Sequence, residues 1–304
     1  MQTLLIFSGI GTVLVLASLA GAVLHVRTRE AAAATAIENL NARIKSWWVI
    51  ALILGGTLLA GHASVIALFA VMSFLSLREF LSLSVVGAAD HRTLSACFLI
   101  AIPVQYVLIG TAQSDTFMIL VPVFTVLIVP ILVVLSAHSR NFLARVAEVS
   151  WGLLICLYCI SHVPALLMLN IPGNQDRKAL LMVFVIVVAQ ASDVLQYVWG
   201  KLFGRHKIAP QLSPLKTVEG TIGGIASATA LGAALWRMTP FSFPQAGAMA
   251  FIITLAGFLG GLVLSAVKRD RGAKDWSRLI PGHGGMLDRL DSLCSDAMLL
   301  HSVG

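Results

Sequence analysis

Charge is what this sequence has least of. Only 12% of its 304 residues are Asp, Glu, Lys or Arg, about half the share of an ordinary soluble domain. With 58% hydrophobic residues and a mean hydropathy of +0.90, the composition excludes a water-soluble domain and points to a polytopic helical membrane protein. Cysteine is sparse too, with Cys97, Cys156, Cys159 and Cys294 and no Cys/His cluster, so zinc and redox chemistry lack a ligand set. Cys156 and Cys159 lie inside an apolar run and read as two small buried side chains on one helix face. Internal repeats, and polar groups recurring along several spans, are missing as well, which argues against an ordinary transporter. Basic residues do not precede the first apolar run, which follows Met1-Gln2 directly. A signal peptide normally starts basic, so this run is expected to be an uncleaved span with its N-terminus outside.

Long apolar runs, by contrast, are abundant. They cover residues 3–26, 47–60, 63–77, 93–110, 117–137, 151–169, 179–200, 221–236 and 246–267. Trp47-Trp48 opens the second run, as interfacial aromatics do. Ahead of it, Ile37, Leu40 and Ile44 stand at i, i+3 and i+7 near Arg43 and Lys45. That pattern fits an interfacial amphipathic helix near residues 30–46, or a plain tether. Residues 286–303 form a short, partly polar tenth segment. The expected fold is all-α: a polytopic membrane protein of about nine transmembrane helices plus a short C-terminal helix. Residues 1–178 would hold the first six spans, and residues 179–304 a catalytic-type membrane region.

Placement of charge gives the orientation. With the N-terminus outside, all but three of the 21 lysines and arginines fall on inside segments, the exceptions being Arg177, Lys178 and Arg237. The positive-inside rule therefore puts the charged segments 201–219 and 268–289 on the cytoplasmic side.

Residues 265–291 are the densest in charge, with Lys268, Arg269, Asp270, Arg271, Lys274, Asp275, Arg278, Asp288, Arg289 and Asp291. A basic loop touching lipid headgroups accounts for the cations. It accounts neither for four aspartates nor for the turn Pro281-Gly282-His283-Gly284-Gly285. Such glycines let backbone N–H groups approach an anion closely. Asp288 and Asp291, three apart, share one helical face, and two carboxylates among cations suit a magnesium–phosphate site.

A second constellation lies upstream. Asp193, near the end of the seventh run, is an acid at span depth and so a functional candidate, or a carboxylate snorkelling to the membrane edge. Ser213-Pro214-Leu215-Lys216-Thr217-Val218-Glu219-Gly220 opens the eighth run. A helix N-terminus with Ser, Thr and Lys suits phosphate. Gly220-x-x-x-Gly224 also suits close helix packing, and both readings can hold.

Together these stretches resemble the CDP-diacylglycerol synthase (phosphatidate cytidylyltransferase) family. Its signature runs Ser-x-apolar-Lys-Arg, four residues, Lys-Asp, Pro-x-His-Gly-Gly, Asp-Arg-x-Asp. Ser265, Lys268-Arg269, Lys274-Asp275, Pro281, His283-Gly284-Gly285, Asp288-Arg289 and Asp291 fill it. The resemblance covers roughly residues 190–292 with specific motifs, including Asp193, Ser213-Pro214, Lys216-Thr217, Glu219-Gly220 and Gly223-Gly224. Upstream of the signature the chain departs from the family. Gly261 and Leu264 stand where the family usually has an aspartate, expected to ligate metal, and a glutamate. A packing alternative exists there, since Gly257-x-x-x-Gly261 lets a helix approach a neighbour.

The resemblance implies the reaction of CTP with phosphatidate to give CDP-diacylglycerol and pyrophosphate. It implies Mg2+ held by Asp288, Asp291 and Asp193. Phosphates would fall to Lys216, Lys268, Arg269, Lys274 and Arg289, with Ser213, Thr217, Gly284 and Gly285 lining the substrate site. Asp275 would orient a lysine or complete the metal shell, and His283 would fix the loop or donate to phosphate. Expected partners are CTP, phosphatidate or a related lipid phosphate, and membrane lipids, with no nucleic acid and a homodimer left open. The expected location is the bacterial inner membrane with the site facing the cytoplasm. The alternative is a catalytically weak paralogue that binds nucleotide or lipid phosphate, or assists another membrane protein.

Overall fold

The computed structural model describes residues 31–84, 90–136, 141–169, 178–277 and 285–290, with scattered positions between 11 and 22. The chain is an all-α polytopic membrane protein. In hydrocarbon each backbone N–H and C=O must be satisfied within the chain, and a helix does this segment by segment. Among the described residues, six helices are long and apolar enough to cross a membrane.

α1 (Ala31–Ala60) is one continuous helix, so residues 31–46 run without a break into the second apolar run. Only its second part, Trp48–Ala60, is strongly apolar. Gly61, at φ 105°, turns the chain into α2 (His62–Ser82). α3 (His91–Gly110), α4 (Ser114–Leu135) and α5 (Phe142–Met168) complete the first bundle. Each contains one widened π turn: Cys97–Ala101, Phe124–Ile128 and Leu154–Cys159. Pro103, Pro130 and Pro164 follow these turns within five residues. A proline lacks an N–H and its ring pushes on the carbonyl four residues back, and a widened turn absorbs both.

α6 (Lys178–Phe203) leads into an antiparallel ribbon of β1 (Lys207–Ala209) and β2 (Ser213–Thr217), with Lys207 opposite Thr217 and Ala209 opposite Ser213. The charge pattern of residues 201–219 gave no sign of this ribbon. α7 (Val218–Ala234) follows, capped by the Thr217 hydroxyl, which accepts from Gly220 N at 3.1 Å. α8 (Phe243–Asp270) starts at a reciprocal Ser242/Gln245 cap. Since α8 runs to Asp270, Lys268 and Arg269 are helical rather than part of a loop. α9 (Leu287–Leu290) is a single turn.

The outer surface is apolar, with Leu59, Leu99, Val126 and Leu202 exposed, as expected where lipid is the solvent. The core of the first bundle packs Phe69, Leu77, Phe117, Leu153, Leu157 and Ile160. Several polar groups inside it are bonded, although Ser76 Oγ, Thr93 Oγ1 and Gln105 Oε1 find no partner among the described residues. Tyr106 OH donates to Phe69 O at 2.8 Å, and Gln105 Nε2 donates to Phe117 O and Ser161 Oγ. Cys156 and Cys159 are free thiols within α5. α7 crosses α6 at very short range. A Cβ on Gly220 would lie 2.8 Å from Gly200 Cα, and one on Gly224 2.6 Å from Gln196 Cα. The packing reading of Gly220-x-x-x-Gly224 therefore holds.

Four polar segments meet at one end of the bundle. Arg145 pairs with Asp90 and Arg271 with Glu148. Ser277 bonds Glu79, and Arg269 Nε donates to Leu212 O at 3.3 Å. The ends of α2, α6 and α8 and the start of α5 thus form one polar face.

Candidate functional site

The site is built on the last turn of α8. Lys268 and Arg269 stand there, where a helix C-terminus favours cations. Gly272, at φ 65°, reverses the chain, and Ala273 N closes the turn on Lys268 O at 2.9 Å. The returning segment is then gripped by two carboxylates. Asp288 Oδ1 accepts from Lys268 Nζ at 2.7 Å, and its Oδ2 accepts from Trp276 N at 3.0 Å and Gly285 N at 2.9 Å. Glu79, from the last turn of α2, accepts from Ser277 Oγ at 2.7 Å and from Met286 N and Leu287 N, each at 2.9 Å. Trp276 is buried and stacks on Phe80 with ring centroids 5.3 Å apart.

This geometry refines the sequence expectations. Gly285 N faces Asp288, not open space, and a Cβ on Gly285 would sit 2.3 Å from Glu79 Oε2. Glycine is needed here for close approach of a carboxylate belonging to the chain itself. Three of the roughly four acceptor positions of Asp288 are taken by donors among the described residues. Lys274 and Asp275 are exposed, and Arg289 is half-buried. Asp193 lies on the exposed side of α6, and among the described residues no three His, Cys, Asp or Glu converge as a metal cage. His283, Gly284 and Asp291 lie outside the described residues. The places of the two replaced acids are filled otherwise. Gly261 is buried and its carbonyl accepts from Ser265 Oγ at 2.7 Å, while Leu264 packs into the apolar core.

The ribbon forms the second wall. Glu219, on the polar side of the apolar run of α7, accepts from Arg205 N at 3.0 Å, His206 N at 3.2 Å and His206 Nδ1 at 2.6 Å. The Arg205 N–H first, and then the His206 side chain, push its carboxyl down to about 2. Val218 N donates to His206 O at 2.8 Å, closing the ribbon onto α7. Ser213, Lys216 and Thr217 are half-buried. The Lys216 ammonium lies 5.0 Å from the centre of the Phe258 ring on α8, and Arg269 holds the ribbon's turn at Leu212. An open cleft of about 410 Å3 runs along Leu202–His206 and Glu219. Lys268, Arg269, Asp288, Gly285 and Arg289 are therefore assembled at one end of the bundle, with the ribbon's turn at Leu212 against Arg269, while the Lys216 ammonium sits against Phe258, about 16 Å back along α8.

Sequence reasoning missed Glu79, which it left inside a polar segment beginning at Arg78. Its signal was an acid at the end of an otherwise apolar run, a placement that is costly unless the acid is partnered.

Residues 41–304 match the model of the cytidylyltransferase family. The chain belongs to that family. The chain is 36% identical over 259 residues to the uncharacterized protein YnbB of Escherichia coli (strain K12), covering 84% of each. It is 42% identical over 165 residues to the phosphatidate cytidylyltransferase of Mycobacterium leprae (strain TN), covering 54% of this chain and 50% of that one. It is 38% identical over 136 residues to the phosphatidate cytidylyltransferase of Brucella abortus biovar 1 (strain 9-941), covering 43% and 49%. The alignment thus spans about half the length of these two phosphatidate cytidylyltransferases.

Proposed function

We propose that this member of the cytidylyltransferase family transfers the cytidylyl group of CTP to phosphatidate, giving CDP-diacylglycerol and pyrophosphate in phospholipid biosynthesis. The observation that carries the proposal is the shared pinning of Trp276, residues 285–288 and the ribbon to the last turn of α8. It gathers Lys268, Arg269 and Arg289 around Asp288 at the membrane edge. A lipid phosphate oxygen attacks the α-phosphorus of CTP. The bond from that phosphorus to the β-bridging oxygen breaks, and pyrophosphate leaves with the electron pair. The attacking oxygen is already ionised, so no activated Ser, Cys or Lys is needed. Catalysis rests on positioning and charge neutralisation.

Arg269, at the ribbon's turn, would hold a phosphate at the end of α8, and Lys216, farther back along the same helix at Phe258, would reach another part of the substrate. Lys268, neutralised by Asp288, is placed to exchange that partner for a phosphate. Lys274 and Arg289 flank the same segment, and Asp275 beside Lys274 would orient it. Ser213, Thr217, His283 and Gly284 keep the substrate and loop roles that the family resemblance implies. The donor set does not fit a metal cage closed by protein alone. It fits Mg2+ carried by a triphosphate, which needs only one or two carboxylates, and Asp288 with Asp291 would hold it. Bound there, Mg2+ would neutralise charge on the phosphates. Asp193, exposed on α6, is the weakest of the three acids in this role. We place the site on the cytoplasmic side of a bacterial inner membrane, following the charge bias.

A second reading, a weak paralogue that binds nucleotide or lipid phosphate, draws on a specific observation. Gly261 and Leu264 replace two acids, and Leu264 is packed in the core. Purified protein with labelled CTP, Mg2+ and phosphatidate separates the two. Labelled CDP-lipid supports the enzyme, whereas CTP binding without product supports the paralogue.

A further inference from the structure

We infer that Glu79 is a positioning residue for residues 276–277 and 285–288, which carry the Lys268–Asp288 pair of the phosphate-handling site, an inference that rests on the cytidylyltransferase reading above. The carboxylate comes from the opposite half of the chain, 198 to 208 residues before its three partners. Its location is unfavourable to charge on two counts. It is 6% exposed, and it stands at a helix C-terminus, where the dipole repels anions. Packing alone would be served better by an apolar side chain. What the site supplies instead is three donors, Ser277 Oγ, Met286 N and Leu287 N, facing a group that only accepts when ionised.

The amides of three successive residues are divided between two carboxylates. Gly285 N goes to Asp288, and Met286 N and Leu287 N go to Glu79. Asp288 in turn holds Lys268. The position of the Lys268–Asp288 pair therefore depends on where Glu79 sets the 285–287 backbone. The contact is close enough to exclude any side chain at Gly285, whose Cβ would fall 2.3 to 2.9 Å from the Glu79 carboxyl atoms. The neighbouring residue on α2, Phe80, stacks on Trp276 and fixes the other end of the same segment. Glu79 acts through this backbone and touches no substrate.

Glu79→Gln tests the inference in the purified full-length protein. One carboxyl oxygen becomes an amide NH2, which then faces a backbone N–H donor. Amide hydrogen exchange in residues 285–290 should rise about tenfold or more without ligand. Turnover at saturating CTP should fall about tenfold, while KM for phosphatidate stays within about twofold. Gly285→Ala should show the same defects, and the double variant should be no worse than the worse single variant. Asp90→Asn serves as the control, because it breaks a buried ion pair with Arg145 that shares no residue with the Glu79 and Asp288 contacts. It should lower the unfolding temperature without raising exchange at residues 285–290 or lowering turnover. Unchanged exchange at residues 285–290 in folded Glu79→Gln overturns the inference. So does a loss of turnover that Asp90→Asn matches at equal loss of stability. If the unaltered protein makes no CDP-lipid, the functional reading fails instead, and the exchange comparison alone decides whether Glu79 sets the segment.

Discussion

Asp288 is both a candidate metal ligand and the partner of Lys268, two side chains that are 11% and 12% exposed. Asp288→Asn removes the charge that neutralises Lys268 and sets an NH2 group against donors it used to accept from. Breaking such a pair from one side costs about 3 kcal/mol, so this variant should be markedly less stable to chemical denaturation in detergent. Adding Lys268→Met should recover part of the loss, because the stranded ammonium is gone. Glu219 makes a pH prediction. Its folded pKa of about 2 lies below the reference value of 4.5. Its hold on the Arg205 and His206 amides is therefore complete above about pH 4.5 and is lost as the pH falls toward 2. Exchange at those amides, corrected for intrinsic rate, should accelerate between about pH 5 and pH 3. Glu219→Gln should abolish that acceleration.

At the scale of elements, the crossing of α6 and α7 is set by what glycine leaves out. A Cβ on Gly224 would lie 2.3 Å from Gln196 Cγ and 2.6 Å from its backbone N and Cα. Backbone cannot swing aside as a side-chain tip can, so Gly224→Ala should cost about 1 to 3 kcal/mol by overpacking. Gly56→Ala on α1, with nothing within 4 Å of the added carbon, should be neutral or slightly stabilising. Unfolding temperatures of the two variants check this. The same crossing carries the ribbon, because Thr217 caps α7 and its side chain also fills the space beside Gly204. Loosening α7 should therefore move Lys216 as well.

Across the whole molecule, the ends of α2, α6 and α8 and the start of α5 converge on one face. The turn at residues 111–113 lies one helix length, about 30 Å, along α3 from the Asp90–Arg145 pair. Cysteines placed at Ser213 and Gly272 should share one side of the membrane, and one at Gln113 should lie on the other. With the charge bias of the sequence, an impermeant thiol reagent should label position 113 in intact cells and spare 213 and 272. Labelling at 272 from outside would reverse the assigned orientation.

Hydropathy alone determined that this chain is a bundle of membrane helices, because a lipid solvent demands long apolar segments with internally satisfied backbones. Residue order from Ser265 to Asp291 carried the family, since motif chemistry is local in sequence. Lys268 and Arg269 were legible as cations of that signature for that reason. The ribbon of residues 207–217 was not, because a short two-stranded element has too few residues to show a period. Nor was the place of Asp288, which from sequence is one of two carboxylates on a helical face and in the structure holds Lys268 and two amides. Glu79 showed in the sequence as an acid in need of a partner, but its place in the site did not, because that lies in a contact some 200 residues away. Only the packing of α2 against the signature segment decides it. Buried carboxylates must find donors, and which donors they find is settled by tertiary structure.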